Sequence, residues 1–223
     1  MVARTRDRLR GTSTHRNSVS PSTDRPPRRS LSSALAFTVG QLILGSLLLA
    51  IAAAWARWRA LPLAIALLPT SAGLAAGLAA SLPACGALLV LAGPRARRWP
   101  GVARLQETFA LIRNLLSPVA WWQILLIAGM AGLSEEVLFR GVIQAEMGLV
   151  AAAALFGLCH PLSTGYVVYA ALLGLYLGLV AKASGGLVAP VVAHAVYDAV
   201  GLWYLTRRWV HQEASGPEES SLV

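Results

Sequence analysis

Charge is scarce in this sequence. Asp, Glu, Lys and Arg make up 13% of its 223 residues, where soluble domains average about 25%, so there are too few charges to clothe a water-facing surface. The two cysteines, Cys85 and Cys159, exclude a disulfide scaffold. Both fall in apolar stretches and read as small buried residues. No segment alternates apolar and polar residues over the ten or so positions that a membrane β-barrel strand needs. H-E-x-x-H is missing, so a zincin-type metal site has no support. No repeat of 20–50 residues is present. The net charge of +9 could suggest nucleic acid, but eight of the 19 basic residues lie in the first 29 positions, ahead of the first apolar run. A basic segment beside a membrane anchor is explained by anionic headgroups and the positive-inside rule, and no nucleic-acid partner is expected.

What the chain has instead is apolar length: 56% of it is hydrophobic. Residues 1–33, rich in Arg, Ser, Thr and Pro, read as a disordered basic cytoplasmic tail. Residues 34–55 are long enough to cross a bilayer. Ala52-Ala53-Ala54 resembles a small-residue cleavage site, but the run exceeds a signal-peptide core and reads as an uncleaved helix. The uncharged stretch 61–92 is too long for one upright span, so an interfacial piece to about 69 and a span over 71–92 are expected, broken at Pro69. Residues 99–116 mix charged and apolar positions with helical spacing and predict an amphipathic interfacial helix. Trp121 and Trp122 then anchor a span over about 119–142, and helices follow over about 149–161, 164–182 and 187–206, the first too short to cross fully.

The expected fold is all-α, a polytopic transmembrane bundle of about six spans. Its parts are a tail over 1–33, N-terminal membrane helices with the interfacial helix over 34–116, a helical core over 117–206 and a tail over 207–223. With both termini cytoplasmic, 15 of the 19 basic residues lie inside, three outside (Arg57, Arg59, Lys182) and Arg140 within the membrane. An integral membrane protein of a prokaryotic plasma membrane is the expectation.

Against that background the stretch 131–144, AGLSEEVLFRGVIQ, stands out. A charge at the centre of a membrane helix costs about 2.5–3.5 kcal/mol on insertion scales and usually marks function. Glu136 and Arg140, four apart, share a helix face and can pair. Glu135 points about 100° away, with no cation left for it. His160 closes the helix LFGLCH, and His194 and Asp198 share a face of the last helix. Glu146 and Lys182 fall near helix ends, where snorkelling is cheap, and read as structural. Taken singly, each polar group has a structural explanation: an insertion-aiding ion pair, an interhelical hydrogen bond, a histidine at headgroup level. Six of them on three apolar helices exceed what a passive bundle needs. A carboxylate and a histidine can hold and deprotonate a water while further polar groups stabilise an oxyanion, a recipe for amide hydrolysis. Glu135, His160 and His194 could alternatively hold zinc. Cys159 beside His160 is a poor nucleophile, since adjacent helical residues diverge. A proton-coupled transporter also explains buried carboxylates and histidines.

The ordered motifs Glu135-Glu136-x-x-x-Arg140, Phe156-x-x-x-His160 and His194-x-x-x-Asp198 resemble those of the CAAX-processing and bacteriocin-processing family (CPBP, or Abi) of intramembrane proteases, related to the type II CAAX prenyl endopeptidases. The resemblance covers roughly residues 118–202. It implies that Glu135 is the general base and His160 shares its water, that Glu136 and Arg140 form a supporting pair, and that His194 and Asp198 stabilise the oxyanion. The family's commoner third-motif residue is Asn; an ionised Asp cannot donate a hydrogen bond, so Asp198 would donate only when protonated, or would instead orient His194. The implied partners are a membrane-associated protein or peptide substrate and the bilayer. No cofactor is required on this mechanism, although the family is often labelled metalloprotease and zinc is an alternative. Some members are linked to self-immunity or act as scaffolds without cleavage.

Overall fold

A computed structural model describes residues 31–116 and 118–208. The expected tail over residues 1–30 and that beyond residue 208 lie outside the described residues. The remainder is helical throughout, with no strand among the described residues, which bears out the all-α expectation. The first helix begins three residues before the expected start of the first span.

Nine α-helices follow one another: α1 Leu31–Arg59, α2 Leu63–Ala66, α3 Ser71–Ala92, α4 Val102–Leu116, α5 Trp121–Leu138, α6 Gln144–Met147, α7 Leu149–Leu158, α8 Thr164–Ser184 and α9 Val188–Trp203. Among the described residues, five stretches are long and apolar enough to cross a membrane: Ala34–Arg59, Ser71–Ala92, Trp121–Met147, Thr164–Ser184 and Val188–Arg207. The sixth apolar helix, α7, has ten residues and reaches only about 15 Å, half the hydrocarbon thickness. The reason is local. Cys159 caps α7, and His160 and Pro161 lie outside any helix. The count is therefore five long spans plus a half-length helix.

Local chemistry explains the breaks. After Pro69, the Thr70 hydroxyl accepts from the Gly73 N–H and starts α3 one residue later. Between α6 and α7 the backbone reverses at Gly148, whose φ of +83° a side chain would strain. α5 does not end at Leu138 but runs on through a π-helical turn, Phe139–Ile143, into α6. Such turns occur often at functional sites.

α5 is the central element: 61% of the apolar stretch of its span is buried within the protein, against 17–39% in the other four. It packs on α1 and α9, α3 packs on α9, and α7 packs on α8. At the crossing of α5 with α9, a side chain on Gly132 would stand 2.8 Å from the Ala195 nitrogen and 3.0 Å from the Val191 carbonyl oxygen, so glycine permits backbone contact here.

Polar contacts show which helix ends lie together. Gln123 at the start of α5 donates to the Thr38 hydroxyl near the start of α1, and Arg207 donates to the Val119 carbonyl. Gln106 of α4 donates to the Leu91 and Gly93 carbonyls at the end of α3, and Thr108 bonds to Ser163 just before α8. The start of α1, the end of α3, α4, the start of α5 and the end of α9 thus share one end of the bundle. The other end carries an ion pair between Arg59 and Glu146 at 2.8 Å, so Glu146 is tied to the end of α1.

Candidate active site

The six polar residues singled out in the sequence converge about halfway along the span Trp121–Met147 and along α9. Helical spacing dictates the first part. Glu136 and Arg140 meet at 2.7 Å, with both side chains almost fully buried. A bare buried pair is a poor bargain in free energy unless its remaining groups are satisfied. Here Arg140 Nη2 donates to the Gly174 carbonyl at 2.9 Å, and its guanidinium lies 4.6 Å from the centre of the Phe156 ring. One pair thereby ties α5 to α8 and to α7.

Tertiary packing supplies the second part. His194 Nδ1 lies 2.7 Å from the same Glu136 oxygen that Arg140 holds. His160 Nδ1 lies 2.7 Å from the Phe156 carbonyl. A backbone carbonyl and a carboxylate only accept, so both imidazoles donate through Nδ1, and in their neutral forms both present a lone pair at Nε2. Those two Nε2 atoms face Glu135, at 3.8 Å for His160 and 3.9 Å for His194. Asp198 Oδ2 stands 3.6 Å from His194 Nε2, beyond hydrogen-bond distance. Glu135, His160 and Asp198 are partly exposed, whereas Glu136, Arg140 and His194 are buried. The carboxylates are thus divided: Glu136 is locked into structure and Glu135 faces open space.

That space has two parts. A cavity of about 60 Å³ lies among Glu135, His160, His194, Asp198 and Tyr166, roughly the liquid volume of two waters. It adjoins an open groove of about 310 Å³ that also reaches Glu135, His160 and Asp198. The groove walls are mainly apolar, with Phe109, Ile112, Leu115 and Leu116 from α4 and Phe37 and Gln41 from α1. The amphipathic helix expected to rest in the interface therefore also forms one side of the route to Glu135.

Zinc in a tetrahedral site, with bonds of about 2.0–2.2 Å, sets neighbouring donors about 3.3–3.6 Å apart. Glu135, His160 and His194 are of the right chemical kind, but their 3.8 and 3.9 Å separations are wider. Among the described residues no group of three or more His, Cys, Asp or Glu side chains has metal-holding geometry. The arrangement does not fit the ion as it stands. Cys159 is exposed rather than buried as its apolar context suggested, because it sits just past the end of α7.

Sequence reasoning missed the tyrosines. Tyr166 lines both cavity and groove. The Tyr169 and Tyr197 hydroxyls bond to each other beneath the site. The three-residue spacing of Tyr166 and Tyr169 on an otherwise apolar helix was the available signal.

Comparison with known proteins bears out the resemblance carried by the three motifs. Residues 117–200 match the family model described as type II CAAX prenyl endopeptidase Rce1-like. The uncharacterized protein YpbD of Bacillus subtilis (strain 168) is 28% identical over 116 residues, which cover 51% of this chain and 61% of YpbD. The match thus spans about three fifths of that relative's length. No solved structure matches the chain.

Proposed function

We propose, from the Rce1-like match of residues 117–200 and the geometry around Glu135, that the protein is an intramembrane endopeptidase that hydrolyses a peptide bond within or near the bilayer. The observation that carries this reading is the position of Glu135: a partly exposed carboxylate facing two imidazole Nε2 atoms at 3.8 and 3.9 Å, at the inner end of an apolar groove. A water bridges groups at that separation with a hydrogen bond to each.

Glu135 is the general base and His160 holds the same water. The water oxygen attacks the scissile carbonyl carbon while its proton passes to Glu135. The carbonyl electron pair moves to oxygen, and collapse of the tetrahedral intermediate expels the amine, which takes the proton back from Glu135. Glu136, held by Arg140, fixes His194 through Nδ1, so the buried pair orients the wall of the site and stays outside the chemistry. No step needs a metal. The substrate is a membrane-associated protein or peptide that reaches the groove from the end of the bundle where α4 lies, the cytoplasmic end by the distribution of basic residues.

Comparative N-terminal proteomics on native membranes, wild type against Glu135→Gln, tests the reading. New N-termini found only with the wild type are expected. Indistinguishable sets under several growth conditions would sink the enzyme reading and favour a scaffold with a buried polar network.

A further inference from the structure

The donor inventory of the site is one-sided. Glu135 and Asp198 are carboxylates, which accept when ionised. His160 and His194 have each committed the Nδ1 proton, to the Phe156 carbonyl and to Glu136, and turn a lone pair inward when neutral. Tyr169 and Tyr197 are engaged with each other. With the imidazoles neutral and the carboxylates ionised, these four groups serve well to hold and deprotonate water. They serve badly once the carbonyl oxygen becomes an oxyanion, because a negative oxygen beside carboxylates in an apolar setting must be met by a donor. One side chain on the walls of both the cavity and the groove supplies an O–H with no hydrogen-bond partner among the described residues: Tyr166.

We propose that the Tyr166 phenol is an oxyanion donor of this site. The proposal rests on the hydrolase reading above and names a catalytic residue that neither the motifs nor the family match assigns. Tyr166 is held for the task. It lies in the first turn of α8, where its own N–H donates to the Ser163 hydroxyl at 3.2 Å. Its ring packs against those of His160 and Tyr169, at 6.2 and 6.0 Å between centres. The Thr108–Ser163 hydrogen bond ties that turn to α4, so the helix that walls the groove also positions the donor. In the step itself the phenol keeps its proton. It hydrogen-bonds to the oxygen that gains charge when water adds to the carbonyl carbon, and releases it when the carbonyl re-forms.

The test uses full-length protein in proteoliposomes and a fluorogenic peptide copying the sequence around a cleavage site seen only in wild-type membranes. Tyr166→Phe keeps the ring and removes the donor, and is expected to lower kcat by about 10²–10³-fold, the usual cost of one oxyanion-hole donor, with KM within about twofold. Adding Asp198→Asn supplies an amide donor on the cavity wall and is expected to raise kcat at least about tenfold more in Tyr166→Phe than in the wild type, a coupling that a purely structural role for Tyr166 would not produce. Should Tyr166→Phe not accumulate, 3-fluorotyrosine at position 166 keeps the ring and makes the phenol a stronger donor; kcat is then expected to change at least about twofold with KM unchanged. Wild-type kcat in Tyr166→Phe, or an unchanged kcat with fluorotyrosine, overturns the proposal while leaving the hydrolase reading intact. Absence of peptide cleavage by the wild-type protein overturns the hydrolase reading, and this one with it.

Discussion

Two neighbouring glutamates stand in opposite settings because a helix turns them about 100° apart. Glu136 is fully buried and shares one oxygen between Arg140 and His194, both at 2.7 Å. Removing Arg140 leaves a buried carboxylate with a single imidazole partner, and breaking a buried pair in this way costs about 3–5 kcal/mol. Arg140→Ala is therefore expected to lower both membrane accumulation and the melting temperature in detergent. Arg140→Lys should recover only part of that, since an ammonium cannot match the planar fork that reaches Glu136 and the Gly174 carbonyl together. Normal accumulation of Arg140→Ala would refute the structural role. Glu135 has no such partner, so Glu135→Gln should fold normally and be inactive. The wide spacing around Glu135 also bears on the metal question: proteolysis in proteoliposomes is expected to continue after dialysis against a strong zinc chelator. Loss of activity with recovery on adding zinc would reverse that assignment.

Elements set the distances between these residues. α5 and α9 approach closely because Gly132 meets the backbone of α9 around Val191 and Ala195. Glu135 lies about one turn beyond Gly132 on α5, and His194 lies between Val191 and Ala195 on the facing helix. Gly132→Val would push the helices apart, at a cost of about 1–3 kcal/mol for overpacking. It should reduce cleavage far more than it reduces accumulation, because a shift of about 1 Å in a catalytic group costs on the order of a hundredfold. Retained activity alongside a lowered melting temperature would show that the site tolerates the shift. The half-length of α7 matters as much. By stopping at Leu158 it ends within the depth of the bundle, and the chain leaves the helix at His160, beside Glu135.

For the molecule as a whole, the ends gathered by the Gln123–Thr38 and Arg207–Val119 hydrogen bonds form one face, which also carries α4 and the groove walls contributed by it. Arg95, Arg97 and Arg98 lie at this face and Arg59 and Lys182 at the other. In a background with Cys85 and Cys159 replaced, a cysteine at Arg97 is expected to react with an impermeant maleimide only from the cytoplasmic side, and one at Lys182 only from the opposite side. Labelling of both from the same side would contradict a bundle that crosses the membrane between them.

The one-dimensional pattern was sufficient for much that depends on neighbours along the chain. Long uncharged runs determined where helices span, because backbone groups in lipid must bond within their own helix. Four-residue spacing determined that Glu136 and Arg140 pair. The ordered motifs pointed to the family. Which faces of different helices meet is another matter, since spacing defines a face without orienting it. That His194 would spend its proton on Glu136, that His160 would come to rest opposite Glu135, and that Tyr166 would turn toward the same cavity followed from helix crossings. Packing of small residues such as Gly132, and the early end of α7, set those crossings, and only the folded bundle brings the pieces together.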